Sequence, residues 1–181
     1  MYACLGVAGA LESSGVRGWV AWMWDSQPDG GSGMARRVKV LVKDLDSSVR
    51  KLYRHALSAD TRLQVVAYVG SCREALYHAL EWDLDVFITN IKSFDGCAFD
   101  TVRKIMAACP RVRVLYVSGF AGPPFYARAL STRPAGYMVK PFRVEKLVDV
   151  VRRVAAGENY YSRCVQCWRD ELPDDSESFW G

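Results

Sequence analysis

Four polar or charged residues stand at the ends of apolar runs in this chain. They are Asp44, Asn90, Ser118 and Lys140. A carboxylate, an amide, a hydroxyl and an ammonium group can form ion pairs and hydrogen bonds with one another or with a ligand. An amide oxygen carries no charge and is a poor nucleophile, so Asn90 cannot do the covalent chemistry of an aspartate.

The segments around these residues alternate between apolar runs and stretches with helical periodicity. We predict strands over 38–42, 63–68, 85–89, 112–117 and 136–139. Apolar residues recur at helical spacing from Val49 and from Val144, and Ser71 with Glu74 forms a capping box at another helix start. Continuously apolar strands separated by helices are typical of a parallel sheet covered on both faces. The predicted fold is therefore α/β, a single doubly wound (βα)5 domain whose site lies outside the carboxyl ends of its five parallel strands.

Four stretches carry a resemblance to a known family. They are 40–46, 90–99, 114–119 and 136–142. The first resembles a first strand with its terminal acidic pair, and the second is similar, without a gap, to the stretch that begins with a phosphoacceptor aspartate. The third resembles a fourth strand with its switch hydroxyl, and the last a fifth strand with a switch aromatic at Tyr137 and a Lys-Pro pair. From Val38 to about Gly157, the chain resembles the receiver (CheY-like) domain of two-component response regulators.

This resemblance implies a flavodoxin-like fold and a phosphorylation site, from which the chain departs. Such receivers accept a phosphoryl group from a partner's histidine on an aspartate, with Mg²⁺ held by acidic residues. Asn90 stands at the phosphoacceptor position and Leu45 at the second acid of the first strand, which leaves Asp44. We expect a pseudo-receiver that is not an enzyme, has no cofactor and binds Mg²⁺ weakly or not at all. Replacing Leu45 and Asn90 with aspartate is expected to restore Mg²⁺ binding.

Three further residues match positions that contact the phosphoryl group or switch conformation in the family. We expect Lys140 to pair with Asp44, because a buried ammonium without a partner is costly. A further hydrogen bond from Lys140 to the Asn90 carbonyl would hold the pocket in one arrangement without a metal. Ser118 and Lys140 either hold the pocket in one conformation or are remnants of the family's site that now serve only as hydrogen-bond partners for each other. Tyr137 is either a frozen switch ring at a partner surface or ordinary half-buried packing.

The preferred function is phosphorylation-independent protein–protein contact in two-component signalling. The contact would use the face near Ser118, Tyr137 and the last helix, with a histidine kinase or another regulator as partner. The oligomeric state stays open, and we expect neither membrane nor direct nucleic-acid binding.

Two alternatives stay open. The first is an ordinary phosphorelay receiver that uses Asp44, Asp46 or Asp95 as its acceptor. The second is the regulatory part of a DNA-binding transcription regulator, because residues 158–163 resemble the linker that precedes a helix-turn-helix domain.

Charge and cysteine spacing set limits on function. The 181-residue chain has a formal charge of +4 and no long block of like charges. Its short arginine pairs, Arg36-Arg37 and Arg152-Arg153, are typical of solvated faces rather than of nucleic-acid binding. Cys72, Cys97 and Cys109 follow no framework spacing and are predicted to be free thiols in a reducing cytoplasm.

The terminal segments are predicted to lie outside the receiver, which spans 38–157. Residues 1–37 form an extension that is flexible or precedes the natural start, and its apolar stretches are too short to span a membrane. Residues 158–181 form a flexible tail without an output domain. Cys164 and Cys167 in this tail make one C-x-x-C pair, whereas zinc needs four ligands and a redox motif needs a helix start beside a strand.

Overall fold

A computed structural model describes residues 36–170. The strands are β1 Val38–Lys43, β2 Leu63–Val69, β3 Val86–Thr89, β4 Arg113–Ser118, β5 Gly136–Val139 and β6 Tyr160–Tyr161. The helices are α1 Ser47–Ser58, α2 Cys72–Glu81, α3 Ala98–Ala108, α4 Pro123–Leu130, α5 Val144–Ala155 and α6 Arg163–Asp170. The predictions for residues 1–35 and 171–181 lie outside the described part of the chain.

The strands form one parallel sheet in the order β2-β1-β3-β4-β5-β6. All five predicted strands are present, because short apolar runs between helical segments bury well on both faces of a parallel sheet. The predicted capping box is confirmed at the start of α2, where the Ser71 hydroxyl accepts from the Glu74 N–H and the Glu74 carboxylate accepts from the Ser71 N–H. The predicted α/β receiver-like architecture is therefore correct in its main elements.

The helices cover the sheet on two sides. One core contains Tyr53 and Leu57 of α1 with Leu147 and Val151 of α5. The other core contains buried residues of α2, α3, α4 and α6, among them Ala75, Val102, Tyr126 and Val165. No helix within 36–170 is long and apolar enough to cross a bilayer.

The prediction of a five-stranded sheet followed by a flexible tail from residue 158 is wrong for 160–170. The Tyr160 N–H donates to the Ala135 carbonyl at 3.0 Å, and the Ser162 N–H donates to the Tyr137 carbonyl at 2.9 Å. These bonds pair β6 with the outer edge of β5, whose backbone groups would otherwise lack partners. The side chain of Val165 in α6 is fully buried, which holds this segment on the domain.

Candidate functional site

The polar residues singled out in the sequence lie at the carboxyl edge of the sheet. Asp44 follows β1, Asn90 follows β3, Ser118 ends β4 and Lys140 follows β5. Because these strands are parallel neighbours, their carboxyl ends lie side by side. The edge thus brings together side chains as far as 96 positions apart in the sequence.

Asp44 is the centre of a buried hydrogen-bond network. Its Oδ2 atom accepts a hydrogen bond from Lys140 Nζ at 2.7 Å, so the predicted ion pair is confirmed. Its Oδ1 atom accepts from Asn90 Nδ2 at 3.1 Å and from the Asp46 N–H at 3.0 Å. With 1 % of the residue exposed, the carboxylate is satisfied by the protein itself.

The Asn90 amide is held at both of its ends. Nδ2 donates to Asp44, and Oδ1 accepts from the Lys92 N–H at 3.1 Å. The predicted bond from Lys140 to this carbonyl is replaced by the Lys92 bond, because Lys140 pairs with the charged carboxylate instead. A carboxylate in place of the Asn90 amide would bring a second negative charge to the 3.1 Å separation that Asn90 Nδ2 and Asp44 Oδ1 now have. Two carboxylates that close are unfavourable without a cation between them.

Lys43 is a member of the site that was not predicted from the sequence. The residue is 1 % exposed, and its Nζ atom donates to the backbone carbonyls of Asn90 at 3.1 Å and Lys92 at 2.8 Å. Burial lowers the pKa of this ammonium, while the neighbouring Cys72 and Asp44 oppose that shift. The sequence gives a weak signal for it, a lysine at the end of a largely apolar strand and directly before an aspartate, because most lysines at such positions are exposed.

Leu45 presents a half-buried apolar side chain next to Asp44. Its backbone carbonyl accepts from Arg50 Nη1 at 3.0 Å, and the Asp44 carbonyl accepts from the same atom at 2.6 Å. Arg50 therefore fixes the loop between β1 and α1.

Asp46 caps the first helix. Its Oδ1 atom accepts from the N–H groups of Ser48 at 2.7 Å and Val49 at 3.4 Å. These backbone hydrogen bonds lower the pKa of the Asp46 carboxyl. The side chain is thus engaged at the start of α1 and not with Asn90.

Asp95 caps α2 from the loop that follows β3. Its carboxylate accepts from the N–H groups of Cys72 and Arg73, each at 2.9 Å, and from the Ser93 hydroxyl at 2.7 Å. Desolvation acts to raise the pKa of Asp95, but the bonds from Arg73, Cys72 and Ser93 outweigh it and lower the pKa to about 2.

Replacing Asp95 with alanine is expected to lower the free energy of unfolding by about 1 kcal/mol, because two N–H groups in the first turn of α2 lose their acceptor. The folded-state pKa lies below the unfolded value of about 3.9. The stabilisation is therefore complete above that value and is lost as the pH falls toward 2.

Urea unfolding near neutral pH and at about pH 3 checks the Asp95 prediction, since the difference from the native chain should shrink at the lower pH. Asp100→Ala is the matched control, because the Asp100 side chain on α3 is 62 % exposed. The capping role would be contradicted if Asp95→Ala lowered the free energy of unfolding no more than Asp100→Ala does, or by the same amount at both pH values.

Ser118 and Tyr137 are both buried beside the start of the loop after β4. Ser118 Oγ accepts from the Phe120 N–H at 3.1 Å, and the Tyr137 hydroxyl donates to the Phe120 carbonyl at 2.7 Å. Burial raises the pKa of the Tyr137 hydroxyl. The centroid of the Tyr137 ring lies 5.3 Å from that of Tyr126 and 6.0 Å from that of Tyr116. The side chain is fully buried, whereas the two alternatives placed it at a partner surface or in half-buried packing.

Helix α6 packs on this aromatic cluster. The Trp168 ring lies 5.8 Å from the Tyr126 ring, and the Tyr126 hydroxyl donates to Cys164 Sγ at 3.4 Å. Cys164 and Cys167 are exposed near the start of α6, directly after β6, which is the strand-then-helix setting that a redox C-x-x-C motif needs. The described cysteines are free thiols, as predicted for three of them: Cys72, Cys97, Cys109, Cys164 and Cys167.

No protein-family model matches the chain. The response regulator GacA of Pseudomonas syringae is 33 % identical over 125 residues, which are 69 % of this chain and 58 % of that protein. The DNA-binding transcriptional activator DevR/DosR of Mycobacterium tuberculosis is 28 % identical over 122 residues, 67 % of this chain and 56 % of that protein. The chain therefore spans less than two thirds of the length of these relatives.

The fold is also that of solved receivers. The isolated REC domain of RcsB from Salmonella enterica serovar Typhimurium superposes with a TM-score of 0.67 at 16 % identity, covering 73 % of this chain and 98 % of that domain. At 16 % identity the superposition supports the fold alone. GacA and DevR/DosR are also similar to this chain in sequence. Fold, strand-end residues and sequence similarity together identify this part of the chain as a response-regulator receiver domain of the CheY-like type.

Proposed function

We propose that this receiver acts in two-component signal transduction through protein contact that does not depend on phosphorylation. The observation that carries the proposal is the Asn90 amide, which donates to Asp44 at 3.1 Å from the position of the family's phosphoacceptor. An amide has neither the charge nor the nucleophilicity for phosphoryl transfer. The ion pair between Asp44 and Lys140 instead keeps the pocket in one conformation.

The other carboxylates near the site support this proposal. Asp44 is buried and accepts hydrogen bonds through both oxygens, while Asp46 and Asp95 cap helices. Phosphorylation of any of the three would replace hydrogen bonds that the fold already uses. The alternative of a substitute acceptor is therefore less well supported than a site without an acceptor.

The donor set at the site does not fit Mg²⁺. This ion usually takes one or two carboxylates with several waters in near-octahedral geometry. Asp44 is the carboxylate at the centre of the site, and it is already paired with Lys140, while Leu45 contributes no side-chain oxygen. Within 36–170, no three or more His, Cys, Asp or Glu residues cluster as metal ligands would.

Exposed aromatic rings on the loops at this edge provide a surface for a protein partner. Phe94, on the loop after β3, is 73 % exposed, and Phe120, on the loop after β4, is 38 % exposed. Aromatic residues are enriched at protein interfaces. We propose that a histidine kinase or another regulator contacts this edge near Ser118, Tyr137 and α5.

The test is the intact mass of the chain after incubation with acetyl phosphate and MgCl₂. We expect no phosphoryl adduct on the native chain, because Asn90 cannot accept the group. A receiver that carries an acceptor aspartate, treated in parallel, shows that the reagent is active. Asn90→Asp, treated in the same way, shows whether a carboxylate at this position is sufficient for labelling.

A stable adduct on the native chain would overturn the proposal. Peptide mapping of the adduct would then identify the acceptor among Asp44, Asp46 and Asp95. An unlabelled native chain beside a labelled control receiver supports contact-based signalling and directs the search to the partner.

A second candidate function is the regulatory part of a DNA-binding transcription regulator. The similarity to DevR/DosR, of which this chain spans 56 %, favours it. Direct DNA binding by this chain would appear as an affinity that falls steeply with salt, measured by fluorescence anisotropy on a labelled duplex. A salt-independent or undetectable signal would favour the contact-based function.

A further inference from the structure

We propose that the Lys43 ammonium is a built-in counter-ion that stands in for a metal at this site and keeps divalent cations out. The inference deepens the proposed function and rests on it, because a site that needs no phosphoryl group has no use for a metal. The residue type of Lys43 does not by itself indicate this role, because a lysine at a strand end is usually exposed.

The first argument is geometric. Lys43 ends β1 directly beside Asp44, and both residues are 1 % exposed. Its Nζ atom lies 2.8 Å from the Lys92 carbonyl oxygen and 3.1 Å from the Asn90 carbonyl oxygen. An ammonium has three donors and no acceptor, so two donors are used on the loop after β3. Hard cations bind to oxygen atoms such as these, which are already taken.

The second argument is the charge of the site. The Lys43 ammonium lies near the carboxylates of Asp44 and Asp95, and Asp44 is also paired with the Lys140 ammonium at 2.7 Å. A divalent cation at this point would lose solvent and meet like charges at short range in a medium that screens them poorly. The site therefore favours its internal cation over an external one.

This arrangement changes the expectation for the double variant Leu45→Asp with Asn90→Asp. Two new carboxylates add oxygen ligands, but the Lys43 ammonium still occupies the backbone carbonyl oxygens of Asn90 and Lys92 at this site. The double variant alone should therefore bind Mg²⁺ poorly. Removing the ammonium as well should open the site to the metal.

The experiment titrates MgCl₂ into the double variant and into the same variant with Lys43→Met added, by isothermal titration calorimetry. Methionine keeps an unbranched stem of similar size without the charge. Lys43→Gln is the second replacement, because a glutamine can still donate to a loop carbonyl. Lys104→Met, at an exposed position on α3, added to the double variant, controls for loss of positive charge at a distance. Circular dichroism verifies that each variant is folded.

We expect the Lys43 variants to bind Mg²⁺ at least about tenfold more tightly than the double variant, which corresponds to the loss of one nearby like charge. The Lys104 control should match the double variant. The inference is overturned if the double variant binds Mg²⁺ as tightly as the Lys43 variants, or if folded Lys43 variants bind none. The proposed function fails separately, through an adduct on the native chain, so the two failures are distinguishable.

Discussion

Lys140→Met is expected to lower the free energy of unfolding by about 3 kcal/mol, the lower end of the range for breaking a buried ion pair from one side. The Asp44 carboxylate is 1 % exposed and accepts from Lys140 Nζ at 2.7 Å. Without that ammonium, a buried negative charge loses its closest cation. We place the effect at the lower end because the Lys140 side chain is 24 % exposed and Lys43 remains nearby.

Urea unfolding measures the Lys140 effect as a shift of the midpoint at unchanged slope. Lys146→Met is the matched control, because Lys146 pairs with Asp149 at 3.7 Å with both side chains more than 40 % exposed. Such surface pairs contribute about 0–1 kcal/mol. A Lys140 effect no larger than that of the control would contradict the pairing of Lys140 with Asp44.

A double-mutant cycle isolates the pair from other effects of the substitution. Asp44→Asn, Lys140→Met and their combination should show a coupling energy of about 1–3 kcal/mol. Additive effects would mean that Lys140 acts through packing instead, for example over the Tyr53 ring, 5.6 Å from its Nζ atom.

Gly136→Ala is expected to separate β6 from β5 and to destabilise the domain by about 1–3 kcal/mol, as overpacking of a tight contact does. A Cβ atom at this position would meet the Tyr160 carbonyl oxygen and would lie 3.0 Å from Leu115 Cδ1. The Tyr160 group is backbone and belongs to the paired strand, so it cannot move without breaking the β5–β6 bonds. Residues 158–170 should then become accessible.

Limited trypsin digestion under native conditions measures this accessibility, since Arg163 and Arg169 lie in α6. The Gly136 variant should be cut there faster than the native chain, and its urea midpoint should fall. Gly119→Ala is the control, because a Cβ atom there has nothing within 4 Å. Equal cleavage of the two variants would contradict the close approach of β6 to β5.

Much of the fold could be predicted from local pattern. The run 136–139 became β5 with the predicted bounds, and the boundaries of the other four strands moved by one residue at most. The sixth strand escaped prediction because Tyr160–Tyr161 is two residues long and carries no alternation. Its existence depends on the unpaired edge of β5 and on the missing side chain of Gly136, which are features of another segment.

The candidate site divides in the same way. The ion pair of Asp44 with Lys140 followed from charge and strand-end position, since a buried ammonium needs a partner. The partners of Lys43 and Asn90 did not follow, because each bonds to a loop backbone whose path is set by tertiary packing. Likewise, Tyr137 lies inside the aromatic cluster because α4 and α6 close over it.

The sequence by itself determined the α/β class, the edge of the sheet where the site lies, and the lack of a carboxylate at Asn90. Those properties depend on residue type and on periodicity over a few positions. Only the tertiary structure decided that Lys43 turns inward, that β6 and α6 complete the domain, and that Asp46 and Asp95 cap helices. These outcomes depend on contacts between distant segments, such as the 49 positions between Lys43 and Lys92, and on competition among several nearby donors and acceptors.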